Sequence, residues 1–186
     1  MKARSFSLGL FLVLVIGTAG AGESPAHSDY RTANRLFRDQ KYREALMLYQ
    51  RALSAPPNNV SPGDIHRRIG DSYFQLGDFQ NALTAYRAAV ADPKLADKAQ
   101  AQYWVGFCCY LVGRDTEAVN ELLKVPALPS DAKAWASTAY YWAGRASERM
   151  GRKEDAAEFY RKAAGTGTSS QGTHARKKAA AVTKSR

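Results

Sequence analysis

The chain has only two cysteines in 186 residues, and they are neighbours, Cys108 and Cys109. Adjacent cysteines on a helix have diverging Cβ vectors and cannot easily close a disulfide. With no third cysteine there is no intramolecular staple, no Cys-x-x-Cys pair, no haem attachment sequence and no thiolate metal site. The pair is expected to pack as small apolar side chains, because free cysteine behaves as a hydrophobe in a core. The three histidines, His27, His66 and His174, are scattered and accompany no nucleophile or carboxylate pattern. Gly-rich phosphate loops are absent. No catalytic constellation can be assembled, so the chain reads as non-enzymatic and without cofactor or metal.

Acidic residues also run out. After Glu158 there is none, while Arg161, Lys162, Arg176, Lys177, Lys178, Lys184 and Arg186 follow. The formal charge of +10 therefore belongs mostly to the two ends, and the segment from Gly22 to Glu158 is nearly neutral. That distribution argues against specific nucleic-acid binding. The basic tail, residues 171–186, reads as a solvated end or as a weak hold on anionic surfaces. Long apolar runs are missing as well, except near the start. There Lys2 and Arg4 precede Leu8–Ile16, and Ala19-Gly20-Ala21 supply small residues at a cleavage site. The run is too short to span a bilayer comfortably, so residues 1–21 are expected to be a cleaved signal peptide rather than an uncleaved anchor. No cysteine follows the run, which excludes lipoprotein attachment. The expected location is periplasmic or secreted.

What the chain does have is a repeat. Ala45, Ala82, Ala118 and Ala156 are separated by 37, 36 and 38 residues. Four positions after each stand Tyr49, Tyr86, Leu122 and Tyr160, and three further on Ala52, Ala89, Val125 and Ala163. Twelve before each lie Ala33, Gly70, Gly106 and Gly144, all small; five before lie Gln40, Gly77, Gly113 and Gly151. Fixed-period self-similarity of this kind marks a stacked array. Each unit reads as a helical hairpin in which small residues admit close helix approach, an aromatic fills the space beside them, and glycine turns the chain. Asp78 can cap the second helix of its unit. One hairpin cannot bury its apolar face alone, so neighbours must stack. The units run about 26–59, 63–96, 99–132 and 137–170. After the break "GTGTSSQG", "THARKKAAAVTK" can form a capping helix with Ala175, Ala179 and Val182 on one side.

These small–aromatic–alanine sets resemble the tetratricopeptide repeat family over residues 26–165, in the form shared by bacterial cell-envelope members that "YWVG" and "YWAG" suggest. The period is longer than the family's usual repeat, which longer links such as "SAPPNNVSPGD" and "KVPALPSD" accommodate, and Gln40 replaces the first turn glycine. The resemblance implies an all-α, right-handed superhelix of four hairpins with a C-terminal cap. It also implies a concave wall made by the first helices, whose ligand-facing positions lie three before, one after, and four and five after the small residue. Carried over, these are Tyr30, Asn34, Phe37 and Arg38 in unit one and Arg67, Asp71, Phe74 and Gln75 in unit two. Unit three supplies Tyr103, Phe107, Tyr110 and Leu111, and unit four Tyr141, Arg145, Glu148 and Arg149. Tyr103, Phe107 and Tyr110 form one stripe on a helix; they either floor a groove or pack against neighbouring units. The family's clamp for a chain terminus is not reproduced, since its lysines are missing.

The expected function is a non-catalytic interaction module that binds an extended or helical segment of another exported or envelope protein, as scaffold, chaperone or assembly factor. A self-associating structural component, forming a homo-oligomer, is the alternative.

Overall fold

A computed structural model describes residues 24–128, 132–166 and 170–184; the expected signal peptide, residues 1–21, lies outside them. Among the described residues there are helices and turns but no strand. Four hairpins follow in order: α1 (Pro25–Arg38) with α2 (Tyr42–Ser54), α3 (Pro62–Gln75) with α4 (Phe79–Ala91), α5 (Lys98–Leu111) with α6 (Asp115–Lys124), and α7 (Ala132–Arg149) with α8 (Lys153–Gly165). A short 3-10 turn, Val125–Ala127, follows α6, and α9 (Ser170–Lys184) packs on α8 and α7. Each helix packs on the next, and α5 also meets α7 directly. The result is an α-solenoid.

The repeating positions explain why. All four anchor alanines, Ala45, Ala82, Ala118 and Ala156, are fully buried, as are Ala52, Ala89, Val125 and Ala163. Tyr86, Leu122 and Tyr160 lie against the glycine of the facing helix, and Tyr49 shares a buried cluster with Ala33. A Cβ placed on Gly70 would come within 2.7 Å of the Tyr86 ring, one on Gly106 within 2.5 Å of Leu122, and one on Gly144 within 2.7 Å of Tyr160. Glycine is therefore the condition for each ring or side chain to lie flat on the opposite helix.

The turns are equally regular. Gly77, Gly113 and Gly151 have φ of 77°, 81° and 75°, and Gln40 takes the same left-handed conformation at 59°. In each turn an amide reaches back five residues along the chain to close the first helix: Lys41 to Leu36, Asp78 to Tyr73, Arg114 to Cys109 and Arg152 to Ser147, all at 2.9 Å. Asp78 also accepts from the Asn81 amide at 3.1 Å, capping α4. Gln40 thus keeps the turn at the cost of a Cβ in a disfavoured region. Gln40→Gly is expected to raise stability by about 0.5–1 kcal/mol, and Gly113→Ala, whose Cβ would meet nothing within 4 Å, to lower it by about 1 kcal/mol. Chemical denaturation monitored by circular dichroism measures both.

The links place the hairpins. Ser24 and Ser61 each precede a proline at the first helical position and accept an amide proton, from His27 at 3.3 Å and Asp64 at 3.0 Å. Asp92, ending α4, accepts from Gly63 N–H at 2.7 Å and from Lys94 N–H at 2.8 Å, tying the far end of unit two back to its start. Helix α7 begins at Ala132, ahead of the start expected for unit four. Ala132-Lys133-Ala134-Trp135-Ala136 contains no helix breaker, and Trp135 packs on Tyr103 of unit three at 5.1 Å.

Cys108 and Cys109 are fully buried in the α3–α6 core. Burial pushes the Cys108 thiol up to about 12 and Cys109 to about 11, so neither is a thiolate near neutral pH. In α9, Ala175 is buried against Ala156, Tyr160 and Ala163, and Ala179 lies beside them. Lys178 holds both Glu148 oxygens at 3.0 Å. The side chain of Val182 lies outside the described residues. No helix among the described residues is long and apolar enough to cross a membrane.

Candidate functional site

The wall positions divide into two chemistries. In unit one, the Tyr49 hydroxyl donates to Asn34 at 2.9 Å, and Tyr30 stands edge-on to the Tyr49 ring at 5.8 Å. In unit two, the Tyr86 hydroxyl donates to Asp71 at 2.9 Å, and Arg67 pairs with Asp71 at 3.3 Å. Burial raises the Asp71 carboxyl above its ordinary range, against the pull of Arg67, the Tyr86 hydrogen bond and Arg68. In unit four, the Tyr160 hydroxyl donates to Glu148 at 2.8 Å, and Tyr141 packs on the Tyr160 ring at 5.8 Å. A tyrosine from the second helix thus finds an acceptor on the first in three units. Asn34 and Asp71, expected as ligand contacts, are engaged internally.

Unit three breaks the pattern at both ends of that bond. Leu122 replaces the tyrosine, and Phe107 stands where units one and two carry the acceptor, Asn34 and Asp71. With no hydroxyl to satisfy, the wall here turns aromatic. Phe107 lies 4.5 Å from Trp142, 5.8 Å from Tyr103, 5.9 Å from Trp104, 6.1 Å from Phe74 and 6.4 Å from Tyr110. Tyr103, Phe107 and Tyr110 stack nearly parallel, as their spacing of four and three residues requires. The stripe does pack on the following unit, through Trp135 and Trp142, and Tyr103 is only 5% exposed. Phe74, Trp104, Phe107, Tyr110 and Trp142 keep part of their surface open. They make a continuous apolar floor across α3, α5 and α7.

The floor ends in charge. Arg149 lies over the Tyr110 ring at 4.0 Å, donates to the Tyr110 carbonyl at 2.6 Å and holds Asp115 at 2.8 Å. Arg145 lies over Trp142 at 5.8 Å. With Glu148 and Lys178 of α9, these residues line an open cleft of about 310 Å³. At the other end Phe37 packs on Tyr42 across the first turn, and Arg38 is exposed. The sequence reading passed over Trp104, Trp142, Asp115 and Lys178. The two tryptophans were visible as the shared second letter of "YWVG" and "YWAG"; Asp115 and Lys178 carried no comparable signal. Among the described residues no group of three or more His, Cys, Asp or Glu side chains is placed to hold a metal.

Stacked two-helix units with an aromatic wall on their first helices define a solenoid of the helical-repeat class. The chain belongs to the tetratricopeptide repeat family, whose profiles match residues 67–132 and 137–165. Solved structures share the fold. A structure of YrrB, described as a TPR protein with an unusual peptide-binding site, is 25% identical with a TM-score of 0.67, covering 82% of this chain and 75% of that one. A structure of MamA is 22% identical with a TM-score of 0.61, covering 82% and 90%. The Rap conjugation gene regulator of the plasmid pLS20, solved in complex with the Phr* peptide, is 19% identical with a TM-score of 0.58, covering 84% of this chain and 47% of that one. No curated protein matches the chain.

Proposed function

We propose that this protein is a non-catalytic docking module that seats an extended or helical segment of a partner protein on the floor centred at Phe107. The observation that carries this reading is the double replacement in unit three, Leu122 for tyrosine and Phe107 for the polar acceptor that units one and two place there. It gives up an internal hydrogen bond and presents a connected, partly open aromatic surface instead. Interface hot spots favour aromatics and arginine, and Arg145 and Arg149 border the floor. Peptide binding by YrrB and by the Rap regulator supports the same use of the fold. We further read the partner as an exported or envelope protein and the chain itself as exported through residues 1–21, on the strength of Lys2, Arg4, the Leu8–Ile16 run and Ala19-Gly20-Ala21. A scaffold or assembly factor fits these features.

The three tryptophans, Trp104, Trp135 and Trp142, all belong to or border the floor, so intrinsic emission reports its occupation without a label. Peptides selected by display against the full chain should shift that emission on titration. Phe107→Ala should weaken them by roughly 30-fold, the scale of a hot-spot aromatic, with unchanged helical circular dichroism. Unchanged affinity in the folded variant would refute the floor as the site.

A further inference from the structure

Resting on that reading, we infer that the docked segment carries acidic side chains, which sit in the cleft formed by Arg145, Arg149, Glu148 and Lys178 where the aromatic floor ends.

The charges around the cleft are unequally satisfied. Arg149 is held by Asp115 through Nε and by the Tyr110 carbonyl through Nη2. The Glu148 carboxylate takes the Tyr160 hydroxyl at 2.8 Å and Lys178 at 3.0 Å on each oxygen, so its charge is already answered. Arg145 is different. Its nearest carboxylate, Glu148, stands 3.9 Å away, outside hydrogen-bond range, and its other neighbours are neutral: the Tyr141 hydroxyl, which hydrogen-bonds it, Tyr110, Tyr160 and the Trp142 ring. The guanidinium offers five donors in a planar fork suited to a carboxylate. Counting Asp115, three cations face two carboxylates, so the cleft keeps a net positive charge.

The cleft also adjoins Tyr110, the end of the aromatic stripe. A segment with apolar side chains over Phe74 and Phe107 would therefore bring its next residues to Arg145. The cleft takes acidic side chains within the segment rather than a chain terminus. The cleft is open, so a chain can run through it, and the side-chain N–H donors lining it come from Arg145, Arg149 and Lys178.

Three fluorescein-labelled, C-terminally amidated peptides of identical Leu/Phe pattern, carrying Glu, Gln or Lys after the apolar run, test this by anisotropy against the full chain. The Glu peptide should bind at least about tenfold more tightly than the Gln peptide, lose that margin as salt rises, and gain little from a free C-terminus. Arg145→Gln should abolish the margin, and Arg145→Glu should transfer it to the Lys peptide, with the thermal melt confirming the fold in each case. Equal binding of Glu and Gln peptides, or a margin that survives Arg145→Gln, overturns the acidic preference but leaves the floor intact if Phe107→Ala still weakens both. A margin that depends on the free C-terminus assigns the cleft to a chain end and overturns the side-chain reading. Failure of all three peptides to bind counts against the floor and the cleft together.

Discussion

Replacing Tyr86 by alanine should cost about 3–5 kcal/mol of stability, the range for removing a large buried aromatic. Tyr86 is 1% exposed, and its ring lies flat on Gly70, where even a Cβ would come within 2.7 Å. It also stacks near-parallel with Trp104 of the next unit at 6.0 Å. The truncation therefore opens a void between α3 and α4 and removes a contact that couples unit two to unit three. The hydroxyl has a separate role, since it donates to Asp71 deep in the wall. Tyr86→Phe isolates that bond and should cost about 1–2 kcal/mol, because the Asp71 carboxylate stays buried with one donor fewer. Denaturant titrations followed by circular dichroism separate the two terms. In an array whose units contact only their neighbours, the alanine variant should also broaden the transition. A loss near 1 kcal/mol for the alanine variant would mean that the small-residue seats are not close-packed.

The second large effect is a coupled one. Leu122→Tyr places a ring on Gly106 as Tyr86 lies on Gly70; a hydroxyl placed as Tyr86 places its own on Asp71 arrives at Phe107, where no acceptor waits. An unsatisfied buried hydroxyl costs about 1–3 kcal/mol. Phe107→Asp alone puts a carboxylate among Tyr103, Trp104 and Trp142 with nothing to pair it, and should cost about 2–4 kcal/mol. Together the two changes rebuild the bond that unit two makes between Tyr86 and Asp71. The double variant should recover about 1–2 kcal/mol relative to the sum of the singles, a coupling a double-mutant cycle resolves. Its binding should nevertheless be lost, because the floor is cut at its centre. Additive losses would mean that unit three does not share the hydrogen-bond geometry of its neighbours.

The repeat itself was readable because each position does one physical job in every unit. Ala45, Ala82, Ala118 and Ala156 are buried to the last atom, and a period of 36 to 38 residues survives any variation in the links. Gln40 was readable as a turn by position, not by chemistry: only its φ of 59° shows that glutamine accepts the glycine conformation. The wall was harder. Asn34 and Asp71 fall at positions that face a ligand in the family, yet each accepts a tyrosine hydroxyl from fifteen residues away. Spacing places a side chain on a face; it does not say where a hydroxyl on the facing helix will land. The same limit hid Lys178, whose link to Glu148 depends on how α9 settles across α7 and α8. Trp104 and Trp142 stand in plain view in the repeated phrase, but the repeat alone does not show that their rings keep open surface.

The central claim is that the partner lies on the inner aromatic wall. A photo-activatable benzophenone amino acid placed at Tyr110, and separately at Met47 on the outer helix α2, where the side chain is 58% exposed, tests it in cells that produce the full chain. Illumination should link a partner peptide to position 110, with acidic residues near the linked site, and leave position 47 unlinked. Partner cross-links from position 47 with none from position 110 would contradict the account.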